Sequence, residues 1–194
     1  MRFQGIAEQL GKTGLCVWPA FLSPALLVAV RSDLQGIQEN HEFHRAGTGK
    51  GSSKSGGDGV RRDETFWLER AASNPVQSQL WGLLDQLKQA LNRTLFLGIT
   101  DFEGHYAAYP AGGFYKRHLD TFRQDDARIV SFVLYLNEAW IPAQGGQLRV
   151  YSADEFTDVQ PDGGTLACFL SRESEHEVLP CYATRLSFTG WFKV

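Results

Sequence analysis

Cysteine is scarce in this chain, with three among 194 residues. Cys16, Cys168 and Cys181 make no Cys-x-x-Cys spacing. This excludes a disulfide framework and a thiolate zinc site, and it fits reduced thiols in a cytoplasmic setting. Long apolar runs are missing too. The stretch over 21–30 covers about ten residues, roughly half of what crosses a bilayer. It follows Glu8, Gln9 and Lys12 rather than a basic leader, so a buried helix is expected there instead of a secretory signal, and no membrane partner. Nor is there an excess of positive charge. Nineteen basic residues against 22 acidic leave a net charge of −3, which argues against a nucleic-acid partner for the body of the protein. No internal repeat is present. What remains is ordinary for a globular chain, with 43% hydrophobic and 21% charged residues. A chain of this size buries roughly 70% of its unfolded surface and needs no structural metal to fold.

The first half has helical periodicity. Residues 6–10 form a short amphipathic piece, and Leu15–Trp18 suits a strand. Ser23 followed by Pro24 is an N-cap and first-turn pair that opens a helix to about Gln38. After Pro75, the residues Val76, Leu80, Leu83, Leu84, Leu87 and Leu91 recur at helical spacing up to about Leu95. From residue 100 the pattern changes to short β-branched and aromatic runs between Gly, Pro and Asp clusters. Strands are predicted over 100–109, 114–118, 128–136, 147–151, 165–170, 175–179 and 185–192, as in an antiparallel sandwich or barrel. The expected organisation is one domain over 1–194, with a helical flank over about 1–98 and a β-core over about 99–194.

The run from His44 to Val60 stands apart, with six glycines, three serines and almost nothing to bury. Over 45–62, five basic residues against Asp58 give +4, leaving −7 for the rest. A mobile loop over about 44–62 is expected. It would serve either as a solvated insertion or as a basic finger closing over a partner.

His118-Leu119-Asp120 places an imidazole and a carboxylate two apart, on one face of a strand. With five histidines and 22 acidic residues, about 0.6 such spacings arise by chance, so context must decide. His176 falls in another predicted strand, and Arg185 heads the last one. Two imidazoles and one carboxylate make the facial triad of non-haem Fe(II) oxygenases, which leaves three coordination positions open. A buried guanidinium beyond the metal could clamp a carboxylate through two hydrogen bonds. His41, His44 and His105 read as core or surface histidines. On residue type alone, Tyr135 and Trp191 read as packing aromatics.

The run Tyr109-Pro110-Ala111-Gly112-Gly113-Phe114-Tyr115-Lys116-Arg117-His118-Leu119-Asp120 resembles the metal-binding motif of the prolyl 4-hydroxylases, 2-oxoglutarate- and Fe(II)-dependent oxygenases of the hypoxia-inducible-factor type and its bacterial relatives. Leu134-Tyr135-Leu136-Asn137, Gly145-Gly146-Gln147-Leu148-Arg149, the stretch from His176-Glu177-Val178 to Arg185 and the closing Thr189-Gly190-Trp191-Phe192 match in the same order. Residues 61–69 also match. The resemblance covers about 40–194. It implies a mainly β fold with flanking α-helices around a double-stranded β-helix (jelly-roll, cupin-like) core. It implies that His118, Asp120 and His176 hold Fe(II) and that Arg185 pairs the far carboxylate of 2-oxoglutarate, aided by Tyr135 and Thr189. Tyr109 and Tyr115 would line the site. Arg128, Trp191 and Asp63 would serve the substrate, with Asp63 able to pair with Arg128.

The implied reaction consumes O2 and 2-oxoglutarate, releases succinate and CO2 and hydroxylates C4 of a prolyl residue, with ascorbate as an auxiliary. Bacterial relatives act on the switch I loop of elongation factor Tu, which makes that protein the leading expected partner. The rival expectations are hydroxylation of a free amino acid or other small molecule, and a non-catalytic 2-oxoglutarate sensor of the same fold. Ala111-Gly112-Gly113 departs from the Pro-Gly-Asn-Gly flavour of the animal members, which bears on substrate contacts and leaves the metal ligands intact.

Overall fold

A computed structural model describes residues 1–47, 59–120, 127–153 and 155–194. Residues 48–58, the centre of the glycine-rich run, lie outside the described residues. Among the described residues the α-helices, α1 (Arg2–Thr13), α2 (Pro24–Glu39) and α3 (Pro75–Leu95), lie in the first half of the chain. Each ends or begins where local chemistry dictates. Gly14 takes φ 72° to stop α1, a conformation that costs a residue with Cβ more. The Ser23 hydroxyl accepts from the Leu26 N–H ahead of Pro24. Asn74 accepts from Val76 and Gln77, while the Gln77 side chain accepts from the Asn74 N–H, a closed capping box.

The strands are β1 (Leu15–Trp18), β2 (His44–Arg45), β3 (Glu64–Trp67), β4 (Asp101–Tyr109), β5 (Tyr115–His118), β6 (Arg128–Tyr135), β7 (Leu148–Ser152), β8 (Glu155–Val159), β9 (Leu166–Leu170), β10 (His176–Val178) and β11 (Arg185–Lys193). They form two antiparallel sheets. The larger runs β1-β9-β6-β11-β4-β3-β2 and the smaller β5-β10-β7-β8. The fold is mainly β, a jelly roll with helices on one side, as the sequence predicts. The strands β2, β3 and β8 and the full length of α1 go beyond the sequence expectation.

Alternation along the strands sorts side chains between two interiors. One face of the larger sheet sends Phe102, Tyr106, Phe132, Phe188 and Phe192 against Leu80, Trp81, Leu84 and Leu91 of α3, and all of them are buried. Burying each such aromatic is worth about 2–3 kcal/mol. Asp33 of α2 ties the layers together, accepting from Asn74 at 2.5 Å, Gln77 at 2.9 Å and the Tyr106 hydroxyl at 2.7 Å. The other face looks toward the smaller sheet. At one end it is closed by Val133, Tyr135, Ala167 and Phe169 against Leu148, Val150 and Val159. Elsewhere it opens into a cavity.

Candidate active site

The cavity has a volume of about 980 Å³ and is lined by both sheets. The register of the larger sheet lays its lining in rows. Tyr109 faces Arg185 at the inner end. The register row beside it, Ala107, Ser187 and Tyr135, is packed behind the lining, and the next lining row is Trp67, His105, Thr189 and Val133. Glu103, Trp191 and Ser131 follow, and Asp101, Lys193 and Arg128 make the outermost row. The sequence thus lays an ordered ladder of chemistry on four strands simply by alternation and antiparallel pairing.

The smaller sheet supplies the imidazoles. His118 ends β5 and lies opposite His176 at the start of β10. Asp120 sits just past the end of β5 and still converges on them: its Oδ1 is 3.5 Å from His118 Nε2 and its Oδ2 is 3.4 Å from His176 Nε2. One ligand atom from each of the three lies within 4.8 Å of the others, a spacing that could hold one metal ion. The Nδ1 atoms point the other way, His118 Nδ1 to the Lys116 carbonyl at 2.7 Å and His176 Nδ1 to the Ser174 carbonyl at 3.1 Å. Such backbone partners put the proton on Nδ1 and leave the Nε2 lone pairs free for a metal. The Ser131 hydroxyl donates to Asp120 at 2.7 Å and meets Ser171 at 2.8 Å.

The electrostatics agree with a cation site. Burial works to raise the Asp120 pKa, but His176, His118 and the Ser131 hydroxyl hold the carboxyl well below the usual range. Burial also pushes His176 down, against the pull of Asp120, so its ring favours the neutral form that ligates. Tyr115 stacks on His118 with centroids 3.6 Å apart and walls that imidazole from water.

At the inner end, Arg185 is 1% exposed, and no carboxylate pairs it among the described residues. Among the described residues its Nε has no hydrogen-bond partner, and neither has the Tyr135 hydroxyl. Its guanidinium lies 5.0 Å from the Tyr109 ring and 5.1 Å from the Tyr135 ring. Burial pushes the Tyr135 hydroxyl up to about 12, against Arg185, so it stays a donor. A buried cation without an anion is costly. Its own orphaned Nε–H and the orphaned Tyr135 hydroxyl beside it make a cradle for a carboxylate.

Asp63 and Arg128 are not partners. The Asp63 side chain is wholly enclosed and takes both arms of Arg61, at 2.7 and 2.6 Å. Arg128 belongs to the outermost row, where it donates to Glu103 at 2.8 and 3.1 Å and lies 3.5 Å over the Trp191 ring. A partner two residues away on the same segment wins Asp63 at little ordering cost. Arg61 also lies 4.3 Å over the Tyr115 ring, so the segment after the glycine-rich run packs against the wall of the metal site. His41 and His44 are exposed, as expected. His105 is buried but lines the cavity, which the sequence reading missed. The available signal was alternation, since 105 shares a strand face with 107 and 109.

A family model described as the 2OG-Fe(II) oxygenase superfamily matches residues 104–193. Egl nine homolog 1 of Homo sapiens is 30% identical over 197 residues, which cover 96% of this chain and 45% of that protein. The chain spans about half the length of the curated relatives it matches. The crystal structure of a Pseudomonas putida prolyl-4-hydroxylase is similar with a TM-score of 0.89 and 41% identity, covering 98% of both chains. A prolyl hydroxylase from Trichoplax adhaerens, solved with a hypoxia-inducible-factor oxygen degradation domain peptide, has a TM-score of 0.87 and 28% identity, covering 99% of this chain and 89% of that one. No helix among the described residues is long and apolar enough to cross a membrane. With a His-Asp-His cluster and a buried unpaired arginine at the two ends of one jelly-roll cavity, the chain belongs to the 2OG-Fe(II) oxygenase superfamily, of the prolyl hydroxylase kind.

Proposed function

We propose that the protein is a prolyl 4-hydroxylase acting on a proline within a protein substrate, in the cytoplasm. The observation that carries the reading is the pairing, in one cavity, of a three-ligand cluster with an arginine that has no anion of its own. His118, Asp120 and His176 would hold Fe(II). Arg185, Tyr135 and Thr189 would take the distal carboxylate of 2-oxoglutarate, with Tyr109 packed alongside. When bound, Fe(II), 2-oxoglutarate and O2 supply the oxidising power that inserts one oxygen atom into a C–H bond and leaves succinate and CO2.

The chain's own part is positional. The carbonyls of Lys116 and Ser174 aim the two imidazoles, and Ser131 fixes the carboxylate between them. Tyr115 excludes water from one side and Phe169 from the other, its ring 4.5 Å from His176. Asp120 gives the metal a carboxylate where a halide would otherwise enter, so hydroxylation is the reaction expected. Trp191 and Arg128 form the outer wall, over which a substrate segment would lie, and Asp63 holds Arg61 in the wall behind Tyr115. Ascorbate would keep the metal reduced.

Elongation factor Tu is the first protein to test. Peptide mass spectrometry of host lysate incubated with the protein should reveal a proline that gains one oxygen atom only when 2-oxoglutarate and Fe(II) are present. His118→Ala and Asp120→Ala should each lose bound metal after dialysis and lose turnover by more than about 100-fold. Retention of both in either variant would reject the metal assignment. Succinate formation from 2-oxoglutarate that is stimulated by free proline but by no protein or peptide would favour the small-molecule reading.

A further inference from the structure

Four buried polar atoms around the cavity have no hydrogen-bond partner among the described residues: Tyr135 Oη, Arg185 Nε, His105 Nδ1 and Trp191 Nε1. The first two belong to the inner end and are absorbed by the carboxylate cradle. The other two are not used by the reaction as proposed. Unmade hydrogen bonds on buried groups are costly, so two such groups in one wall call for a polar occupant.

These two groups form a single unit. His105 lies on β4 opposite Trp67 of β3 and Thr189 of β11. Its ring packs against both indoles, with centroids 4.8 Å from Trp67 and 5.5 Å from Trp191, and the two indoles also meet each other at 6.0 Å, so the three rings form a triangle. Both His105 and Trp191 are more than nine-tenths buried and line the cavity between the arginine end and the outer row. Apolar residues would pack this wall as well, so the polar atoms need another explanation.

Charge narrows the ligand. Burial, with Arg61 and Arg128 adding to it, pushes His105 down to about 3 against Asp120, so the ring is neutral at any physiological pH. The two nearby guanidinia are already engaged by Asp63 and Glu103. An indole N–H can only donate, so the group it meets must accept. A neutral imidazole beside an indole N–H suits an uncharged carbonyl better than a carboxylate, which would lack a free cation there.

Resting on the prolyl hydroxylase reading above, we propose that His105 is a specificity-determining residue that, together with the Trp191 indole, hydrogen-bonds a main-chain carbonyl of the substrate beside the target proline. The wall thereby selects a peptide over a free amino acid, whose only carbonyl belongs to a charged carboxylate.

The test uses the full chain loaded with Zn(II) and 2-oxoglutarate and a pool of N-acetylated, C-amidated pentapeptides with proline at the centre. In 15N-histidine-labelled protein, the His105 ring signals should move when a binding peptide is added and stay still with free L-proline. His105→Phe, which keeps an aromatic ring against the two indoles, should weaken peptide binding about tenfold. His105→Gln, which restores a polar contact, should recover most of the loss. The 2-oxoglutarate affinity should be the same in all three proteins. Undiminished peptide binding by His105→Phe overturns the inference. So does an equal loss of 2-oxoglutarate affinity, or free proline moving the ring signals as strongly as the peptide. A wild-type protein that binds 2-oxoglutarate and no member of the pool rejects the prolyl hydroxylase reading itself, and the inference with it.

Discussion

Arg185 shows how much a single side chain can decide. It is buried, has no acid partner among the described residues and faces two tyrosines, so its charge is compensated only when an anion arrives. Arg185→Ala should weaken 2-oxoglutarate binding by about 100-fold or more, read by calorimetry on Zn(II)-loaded protein, since it removes charge-assisted hydrogen bonds of about 1.5–3 kcal/mol each. Arg185→Lys should fall between, because it keeps the charge and loses the two-pronged geometry. An unchanged affinity in the alanine variant would remove the arginine from the site. At this scale the sequence was most legible where a side chain acts through its type and its strand position. His118 is such a case, because its two-residue spacing to Asp120 turns both toward one point, whereas its meeting with His176 needs the pairing of β5 with β10. Asp63 was not legible. Its partner depends on which guanidinium is nearer in space, and a chain that offers Arg61, Arg62 and Arg128 does not say which.

At the level of elements, β11 is the central rib, paired along its length with β4 on one side and β6 on the other. Two glycines face each other across the first of these pairs, Gly190 and Gly104. A Cβ on Gly190 would lie 2.1 Å from the Glu103 carbonyl oxygen and 2.6 Å from the Phe132 ring. Gly190→Ala should therefore cost about 3 kcal/mol or more, seen as a lower denaturant midpoint, by forcing apart strands that carry Arg185 and Trp191. Gly82 in α3 is the counterexample. Nothing lies within 4 Å of its missing Cβ, so Gly82→Ala should stabilise by about 0.5–1 kcal/mol. If the two substitutions shift stability alike, crowding is not the cause.

The helices α2 and α3 were readable because Ser23-Pro24 and Asn74-Pro75 announce their starts. In contrast, β8 escaped because four of its five residues are exposed and it shows no apolar alternation. The expected length of α1 fell short because Gly5 and Gly11 interrupt its pattern. In the fold, Gly5 sits against Trp18, and Gly11 leaves room for Leu95 of α3. Those are tertiary reasons that a local pattern cannot carry.

Over the whole molecule, the acids that matter most are tied to the cavity. Burial opposes ionisation of Glu103, yet Arg128 and Lys193 hold its pKa down, and Asp120 is held down more strongly. Both carboxyls thus titrate lower when folded than at their ordinary values of 4.5 and 3.8. The stability they add is present above those values and lost as pH falls through the folded ones. Denaturant midpoints should hold steady from neutrality to about pH 5 and drop below about pH 4. Glu103→Gln should shallow that drop; an unaltered profile would place the acid sensitivity elsewhere.

The layered lining has a kinetic corollary. A passage whose far wall is an enclosed guanidinium has one way in and one way out. Whatever settles against Arg185 must arrive before anything that rests on Trp191 and Arg128, and it must depart after it. Steady-state turnover should accordingly follow a compulsory sequence, with succinate competing directly against 2-oxoglutarate and the hydroxylated peptide failing to do so. Competition between that peptide and 2-oxoglutarate would reveal a second exit.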